Sequence, residues 1–295
     1  MKKRALLSIN FHARNGKDSL RQAVAALENL DFELVVKPDL KPEQLAELIV
    51  RDQHQLDLVV VGGGDGTLNA VAESLAKTRL PLGIIPLGTA NDLARTLNIP
   101  ESIAEAAKII ADGEIRQIDL GCVNDQYFFN VASLGLSVKI TQNLSQGAKS
   151  RWGIFAYLFT ALKVIAKTRP FRAEIRYGDR SIKVKTLQIA VGNGHYYGGG
   201  MAITKDATID DERLNLYSLE IKHWWQILPV IFKLRSGEHR KLSGVRTLQR
   251  KKIEVYTRKP QKINTDGEIT TSTPASFSLI PKAISVFVPS GDRDY

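Results

Sequence analysis

The residues Gly62-Gly63-Gly64-Asp65-Gly66-Thr67-Leu68-Asn69 put backbone N–H groups, a carboxylate and a hydroxyl into one short turn. Glycine lets a chain approach a ligand closely, and a turn that opens a helix leaves N–H groups unpaired beside partial positive charge. The chemistry this allows is the holding of a phosphate. A glycine turn kept for strand-to-helix packing is the competing reading, but such a turn has no need of Asp65 and Thr67. A second stretch, Pro86-Leu87-Gly88-Thr89-Ala90-Asn91-Asp92-Leu93-Ala94, also follows an apolar run and opens a helical pattern. Taken alone, its Thr89, Asn91 and Asp92 read as helix N-caps. Beside the first turn they read as a second wall of one crevice.

The elements that must position these turns follow from the hydrophobic pattern. Apolar runs at Ala5–Ile9, Phe32–Val36, Leu56–Val61 and Leu82–Ile85 read as strands, separated by helical stretches at Ser19–Leu30, Lys41–Arg51 and Thr67–Lys77. Pro42 suits a first helical turn, where its missing N–H costs nothing. Strands alternating with helices imply a parallel sheet covered on both faces, with ligands bound beyond the carboxyl ends of the strands. Asn10 to Gly16, the glycine turn and Gly88 to Asp92 all fall at such ends.

After about Arg116 the rhythm changes. Phe171, Ala173, Ile175 and Tyr177 alternate with Arg172, Glu174 and Arg176, the pattern of a half-buried strand. Leu187, Ile189 and Val191 continue with opposite parity to Ile182 and Val184, which suggests a bulge or break near Lys185. With Arg213–Glu220, Leu248–Thr257 and Ala275–Val288, this reads as an antiparallel second domain. Residues 1–118 are therefore expected to form the α/β domain and 119–295 the β domain, with the last residues free to return to the first.

Composition narrows the partners. The net charge of +10 favours an anionic one, whether nucleotide, nucleic acid or membrane surface. The basic residues are spread out and form no nucleic-acid motif, so nucleic acid is not expected. One cysteine, Cys122, excludes an internal disulfide and a thiolate metal cluster. The apolar start after Met1-Lys2-Lys3-Arg4 is too short for a signal-peptide core. Trp152–Ala166 and Trp224–Leu234 are short of the ~20 residues a membrane span requires and read as packed helices.

The pairing of Gly63-Gly64-Asp65-Gly66-Thr67-Leu68-Asn69 with Pro86-Leu87-Gly88-Thr89-Ala90-Asn91-Asp92 resembles the bacterial diacylglycerol kinase and lipid kinase family, which includes sphingosine and ceramide kinases. Gly192-Asn193-Gly194 with Gly198-Gly199-Gly200, Ala207-Thr208-Ile209-Asp210-Asp211, and Asn264-Thr265-Asp266-Gly267-Glu268 resemble later motifs of that family in the same order. The resemblance implies an α/β nucleotide domain like those of phosphofructokinases and NAD kinases, a C-terminal antiparallel β-sandwich, and an active site in the cleft between them. It implies transfer of the γ-phosphoryl group of ATP to a lipid hydroxyl, most readily that of diacylglycerol or a related lipid.

Residue by residue, the resemblance assigns Asn10, Gly63, Gly64, Asp65, Gly66, Thr67, Leu68, Asn69, Gly88, Thr89, Asn91 and Asp92 to the ATP site. Asp65 suits Mg²⁺ or a water on it, because Mg²⁺ bound with nucleotide keeps few protein carboxylates. Glu268 is the expected base. A carboxylate of ordinary pKa ~4.3 is a weak base, but a cluster with the other candidate catalytic acids, Asp266 and Asp65, would raise the pKa of at least one of the three. The sequence does not decide which acid takes the proton. Thr208, Asp211 and Arg213 match the family's structural metal site, with an ordinary turn at Asp210-Asp211 as the alternative. The chain departs from the pattern at Phe11, where the family has proline after Asn10, at Glu212, where it has glycine, and at Lys205, where it often has proline.

The expected partners are ATP and a lipid at a membrane surface, with the chain cytoplasmic, peripherally attached, and with room for a homodimer. NAD kinase is the rival enzyme, since it shares Gly-Gly-Asp-Gly-Thr. A nucleotide-binding regulator without catalysis is the rival of another class, against which stand Asp65, Asp266 and Glu268.

Overall fold

The computed structural model describes residues 2–11, 13, 16–147, 168–193, 196–197, 201–202, 208–221 and 244–291. The readings of Trp152–Ala166, Trp224–Leu234, Lys205 and Gly198–Gly200 fall outside the described residues. The chain divides into two compact units. One holds the described residues up to Leu120 and those from Ile280 onward, the other most of what lies between.

In the first unit β1 (Lys3–Ile9), α1 (Gly16–Glu28), β2 (Phe32–Val36), α2 (Pro42–Asp52), β3 (Leu58–Gly63), α3 (Asp65–Ala70), α4 (Ala72–Thr78), β4 (Leu82–Pro86), α5 (Asp92–Thr96) and α6 (Ile103–Asp112) follow in order. The strands β2, β1, β3 and β4 lie side by side and all pair in parallel. β3 is buried along its whole length, which is why it reads as an unbroken apolar run rather than an alternation. α1 and α6 cover one face, where Ala23, Leu27, Ala107 and Ile110 pack on Leu7, Leu58, Val60 and Ile85. The strand after β1 lies on one side of it and β3 on the other. This strand-order reversal opens a crevice at the carboxyl ends of β1 and β3.

Two boundaries differ from the sequence reading. The expected helix over Thr67–Lys77 is two short helices, because the backbone leaves the helical region at β-branched Val71 (φ −102°, ψ 0°). α1 begins three residues earlier than expected, at Gly16, where an added Cβ would lie 2.4 Å from the Phe11 Cα.

β5 (Glu114–Val123) leads into the second unit, followed by β6 (Gln126–Phe128), β7 (Val131–Gly135), α7 (Leu136–Gly147), β8 (Phe171–Tyr177), β9 (Arg180–Thr186), β10 (Gln188–Gly192), β11 (Tyr196–Tyr197), β12 (Met201–Ala202), β13 (Leu214–Leu219), β14 (Val245–Arg250), β15 (Lys252–Thr257), β16 (Lys262–Thr265), β17 (Glu268–Ser272) and β18 (Ala275–Val288). In this unit one sheet runs β14-β13-β10-β7-β16-β17, and a second ladder joins β9, β8, β15 and the first half of β18; every one of these pairings is antiparallel. Their inner faces share a core that includes Leu134, Ile189, Leu216 and Ile263 from one and Ile175, Val184, Val255 and Phe277 from the other. Beyond the second unit the end of β18 pairs in parallel with β4 of the first, Val286 beside Leu82.

The parity slip near Lys185 is a strand break. β9 ends at Thr186, and β10 starts at Gln188 in the other sheet. The single strand expected over Leu248–Thr257 is likewise two, β14 and β15, in different sheets. Strands β5 to β7 carry no expectation from the sequence reading. Their turn signal is Asn124-Asp125, both at positive φ between paired Val123 and Gln126, the geometry of a two-residue hairpin.

Candidate functional site

In the first unit the two glycine motifs meet. The Cβ of an alanine at Gly88 would lie 2.5 Å from the Gly64 Cα, and one at Gly64 would lie 3.0 Å from the Gly88 Cα. Two backbones can approach so closely only without side chains. Asp65 ties the contact. Its Oδ2 accepts the Asp92 N–H at 3.1 Å and its Oδ1 the Leu93 N–H at 3.0 Å, so one carboxylate caps the start of α5. Asn91 stands in the left-handed region (φ 51°) and closes the other turn on itself, its Oδ1 accepting the Gly88 N–H at 2.8 Å and its Nδ2 donating to the Gly88 carbonyl at 3.1 Å.

Asn10 belongs to the same cluster. Its N–H donates to the Gly62 carbonyl at 2.9 Å and its Nδ2 to the Thr67 hydroxyl at 3.1 Å, joining the end of β1 to α3. The departure at Phe11 has a structural use: its N–H, which proline would lack, donates to Asp39 Oδ1 at 3.3 Å. Gly66 differs from its neighbours, since an added Cβ there would meet no atom of the described residues within 4 Å. Thr89 is exposed at the same edge. The Leu68 side chain is buried in the core, and its N–H pairs with the Gly64 carbonyl at 3.1 Å. Asn69 Oδ1 is enclosed and has no hydrogen-bond partner.

In the second unit Asp266-Gly267 is the two-residue turn between β16 and β17, with Thr265 opposite Glu268 and both turn residues at positive φ (46° and 104°). Asp-Gly is the residue pair such a hairpin turn prefers. The Asp266 carboxylate accepts three backbone N–H groups, from Phe129 (2.6 Å) to Oδ2 and from Asn130 (3.1 Å) and Val131 (2.9 Å) to Oδ1. It is an anchor for the segment entering β7. Glu268, by contrast, begins β17 with its side chain exposed. The Gly267 N–H donates to Asn264 Oδ1 at 2.9 Å, holding the turn from its other side.

At the expected structural metal site, Asp211 Oδ1 accepts the Arg213 N–H at 2.9 Å, and the Asp211 N–H points to the Thr208 carbonyl at 3.4 Å. Glu212 forms the turn without glycine by adopting φ 55°, a conformation that costs a non-glycine residue about 1–2 kcal/mol. These contacts are those of a self-closed turn. Among the described residues, no three or more His, Cys, Asp or Glu side chains gather as a metal site, and no helix is long and apolar enough to cross a membrane. The segment Gly192-Asn193 ends β10, and Asn193 is buried with its Nδ2 donating to the Phe129 carbonyl at 3.0 Å.

A parallel sheet with Gly-Gly-Asp-Gly-Thr at its carboxyl edge, followed by an antiparallel β unit, defines a two-unit α/β protein with a glycine-lined turn at the sheet edge. Residues 4–123 match the model of the diacylglycerol kinase catalytic domain, and residues 130–288 that of the YegS C-terminal NAD kinase beta sandwich-like domain. The chain belongs to the diacylglycerol kinase and lipid kinase family. A Pseudomonas aeruginosa protein named "probable lipid kinase YegS-like" is 33% identical over 299 residues, 99% of this chain and 96% of that protein. The diacylglycerol kinase of Bacillus subtilis is 31% identical, over 80% of this chain and 79% of its own. A crystal structure from Bacillus anthracis superposes with a TM-score of 0.83 at 26% identity, covering 98% of each chain.

Proposed function

We propose that this protein transfers the γ-phosphoryl group of ATP to the hydroxyl of a lipid, of which diacylglycerol or a close relative is the first choice. The observation that carries the reading is Gly66. It stands in the first turn of a helix, where glycine is about 1 kcal/mol worse than alanine, yet no atom of the described residues needs the space. A bare backbone facing open space beside Asp65 and Thr67 suits close approach by a phosphate. Asp65 uses one lone pair of each oxygen on N–H groups and retains others, which suits a water on Mg²⁺. Asn69 Oδ1, lacking a donor, suits a nucleotide hydroxyl or a metal-bound water. Mg²⁺ at such a site would neutralise phosphate charge.

In the reaction the lipid oxygen forms a bond to the γ-phosphorus as the bond from that phosphorus to the β–γ bridging oxygen breaks. ADP leaves with the electron pair, and the hydroxyl proton goes to Glu268. A lipid acceptor presented at an anionic membrane surface also fits the net charge of +10.

Gly66→Ala is expected to leave thermal stability unchanged or slightly raised, while raising the KM for ATP about tenfold, a loss of ~1.4 kcal/mol in binding. An unchanged KM would remove Gly66 from the donor site. The decisive experiment incubates the protein with labelled ATP and either a total lipid extract or NAD, with products identified by mass. Label on a lipid supports the reading, and its polar head identifies the acceptor. Label on NAD and on no lipid replaces it with the NAD kinase reading.

A further inference from the structure

In β8 and β9 of the second unit, Ala173, Ile175 and Val184 belong to the core. Arg172, Glu174, Arg176, Lys183 and Lys185 therefore fall on the opposite, outer face of these strands. Across the pair Glu174 faces Lys183 and Arg176 faces Ser181, but Arg172 stands directly opposite Lys185. Like charges so placed are destabilising. Arg172, Lys183 and Lys185 are all exposed, and none of them forms an ion pair among the described residues. Glu174 is engaged instead by Arg176, at 2.8 Å, and Arg176 also lies over the Tyr256 ring at 4.4 Å. The face is thus balanced in charge toward Tyr177 and cationic toward Phe171.

Protection of a sheet edge accounts for part of this pattern. β9 closes its ladder, and lysines on an edge strand discourage pairing with another chain. Arg172 lies on β8, between β15 and β9, where there is no edge to guard. A second copy of the chain is no partner for this surface, because it brings the same cations and the same net charge of +10.

We infer that the Phe171 end of this face docks on the anionic surface of a lipid bilayer, an inference that rests on the kinase reading above. Neighbouring strands lie about 5 Å apart, so Arg172 and Lys185 are presented side by side, as a bilayer presents its phosphates. The distance from this end to the Glu268 turn also suits a lipid. The Cβ of an alanine at Gly135, where β7 ends, would lie 2.8 Å from the Phe171 ring. Val131, where β7 begins, accepts the Asp266 N–H at 3.0 Å. β7 covers that interval with a rise of ~13 Å, close to the ~15 Å of hydrocarbon in one leaflet. A lipid with its tails at the docked end is long enough to bring its alcohol to the turn that carries Glu268.

Each cation near an anionic surface strengthens binding about fivefold. The triple variant Arg172→Gln, Lys183→Gln, Lys185→Gln is therefore expected to bind vesicles of phosphatidylcholine and phosphatidylglycerol about a hundredfold more weakly than the wild type. A control triple in the first unit, Lys41→Gln, Lys77→Gln, Lys108→Gln, lowers the net charge equally and is expected to bind as the wild type does. Wild-type binding should weaken with added salt and be absent with phosphatidylcholine alone. Turnover of dioctanoylglycerol dispersed without vesicles should be the same in both triples. Relief of the Arg172–Lys185 repulsion should hold or raise Tm. Arg172→Glu, which faces Lys185 with the opposite charge, is a second variant expected to fold and to lose at least about fivefold in vesicle binding. Undiminished binding by the first triple, equal loss in both triples, or binding indifferent to salt overturns the inference. Retention of duplex DNA in preference to these vesicles, lost in the first triple, replaces the bilayer with nucleic acid. If the wild type phosphorylates no lipid but still binds vesicles through these three cations, the kinase reading falls and the docking surface stands.

Discussion

Replacing Glu268 by glutamine is expected to lower kcat for lipid phosphorylation by about 10²–10⁴-fold, the usual contribution of a general base. The KM for ATP and the melting temperature should stay the same, because the side chain is exposed at the start of β17 and is replaced by one of equal size. Phosphoryl transfer asks little covalent work of a protein beyond alignment, charge neutralisation and a proton acceptor. A glutamine there preserves shape and abolishes proton uptake. Steady-state kinetics at saturating ATP, beside a thermal melt, read both quantities. A variant with wild-type kcat would show that the hydroxyl proton goes elsewhere.

Two residues earlier, Asp266→Asn is expected to act in the opposite sense, on stability first. Its carboxylate is acceptor-only and receives three backbone N–H groups. An amide must turn its NH₂ toward at least one of them. Hydrogen bonds to a charged group contribute ~1.5–3 kcal/mol each. Discounted for partial exposure, the loss is about 2–4 kcal/mol, or a Tm lower by roughly 5–15 °C for a unit of this size. The backbone is not the cause, since asparagine tolerates the left-handed conformation of this position. A variant that melts like the wild type but has lost kcat would return Asp266 to the chemistry. The two carboxylates of Asp266-Gly267-Glu268 are thus separable by one pair of measurements, kcat and Tm.

The same division of labour appears in the first unit. Asp65 is legible in the sequence as a carboxylate in a glycine turn, and its residue type suggests a metal. Its partners, the N–H groups of Asp92 and Leu93, lie 27 and 28 residues away, and no local pattern points to them. The pairing of Gly64 with Gly88 is equally invisible from spacing. Each glycine looks like a turn residue until the two Cα atoms are seen in contact.

The sequence by itself determined the change from parallel to antiparallel architecture, because the period of the apolar residues reports how each element is buried. It also determined that both glycine motifs end strands of one parallel sheet. It marked the break beside Leu187 through the parity slip near Lys185 and missed those at Val71 and Lys251. There the chain changes direction or sheet while the hydrophobic pattern continues, and only the choice of packing partner decides. The tertiary structure alone decided which polar atoms are occupied. Asp266 reaches Phe129, Asn130 and Val131 across 135 to 137 residues of chain, and that contact separates an anchoring acid from the exposed Glu268. Hydrogen bonds between distant segments depend on how sheets stack and pair, which local propensity does not encode. For that reason the sequence names the acids, and the fold tells which of them is held by backbone N–H groups and which is exposed.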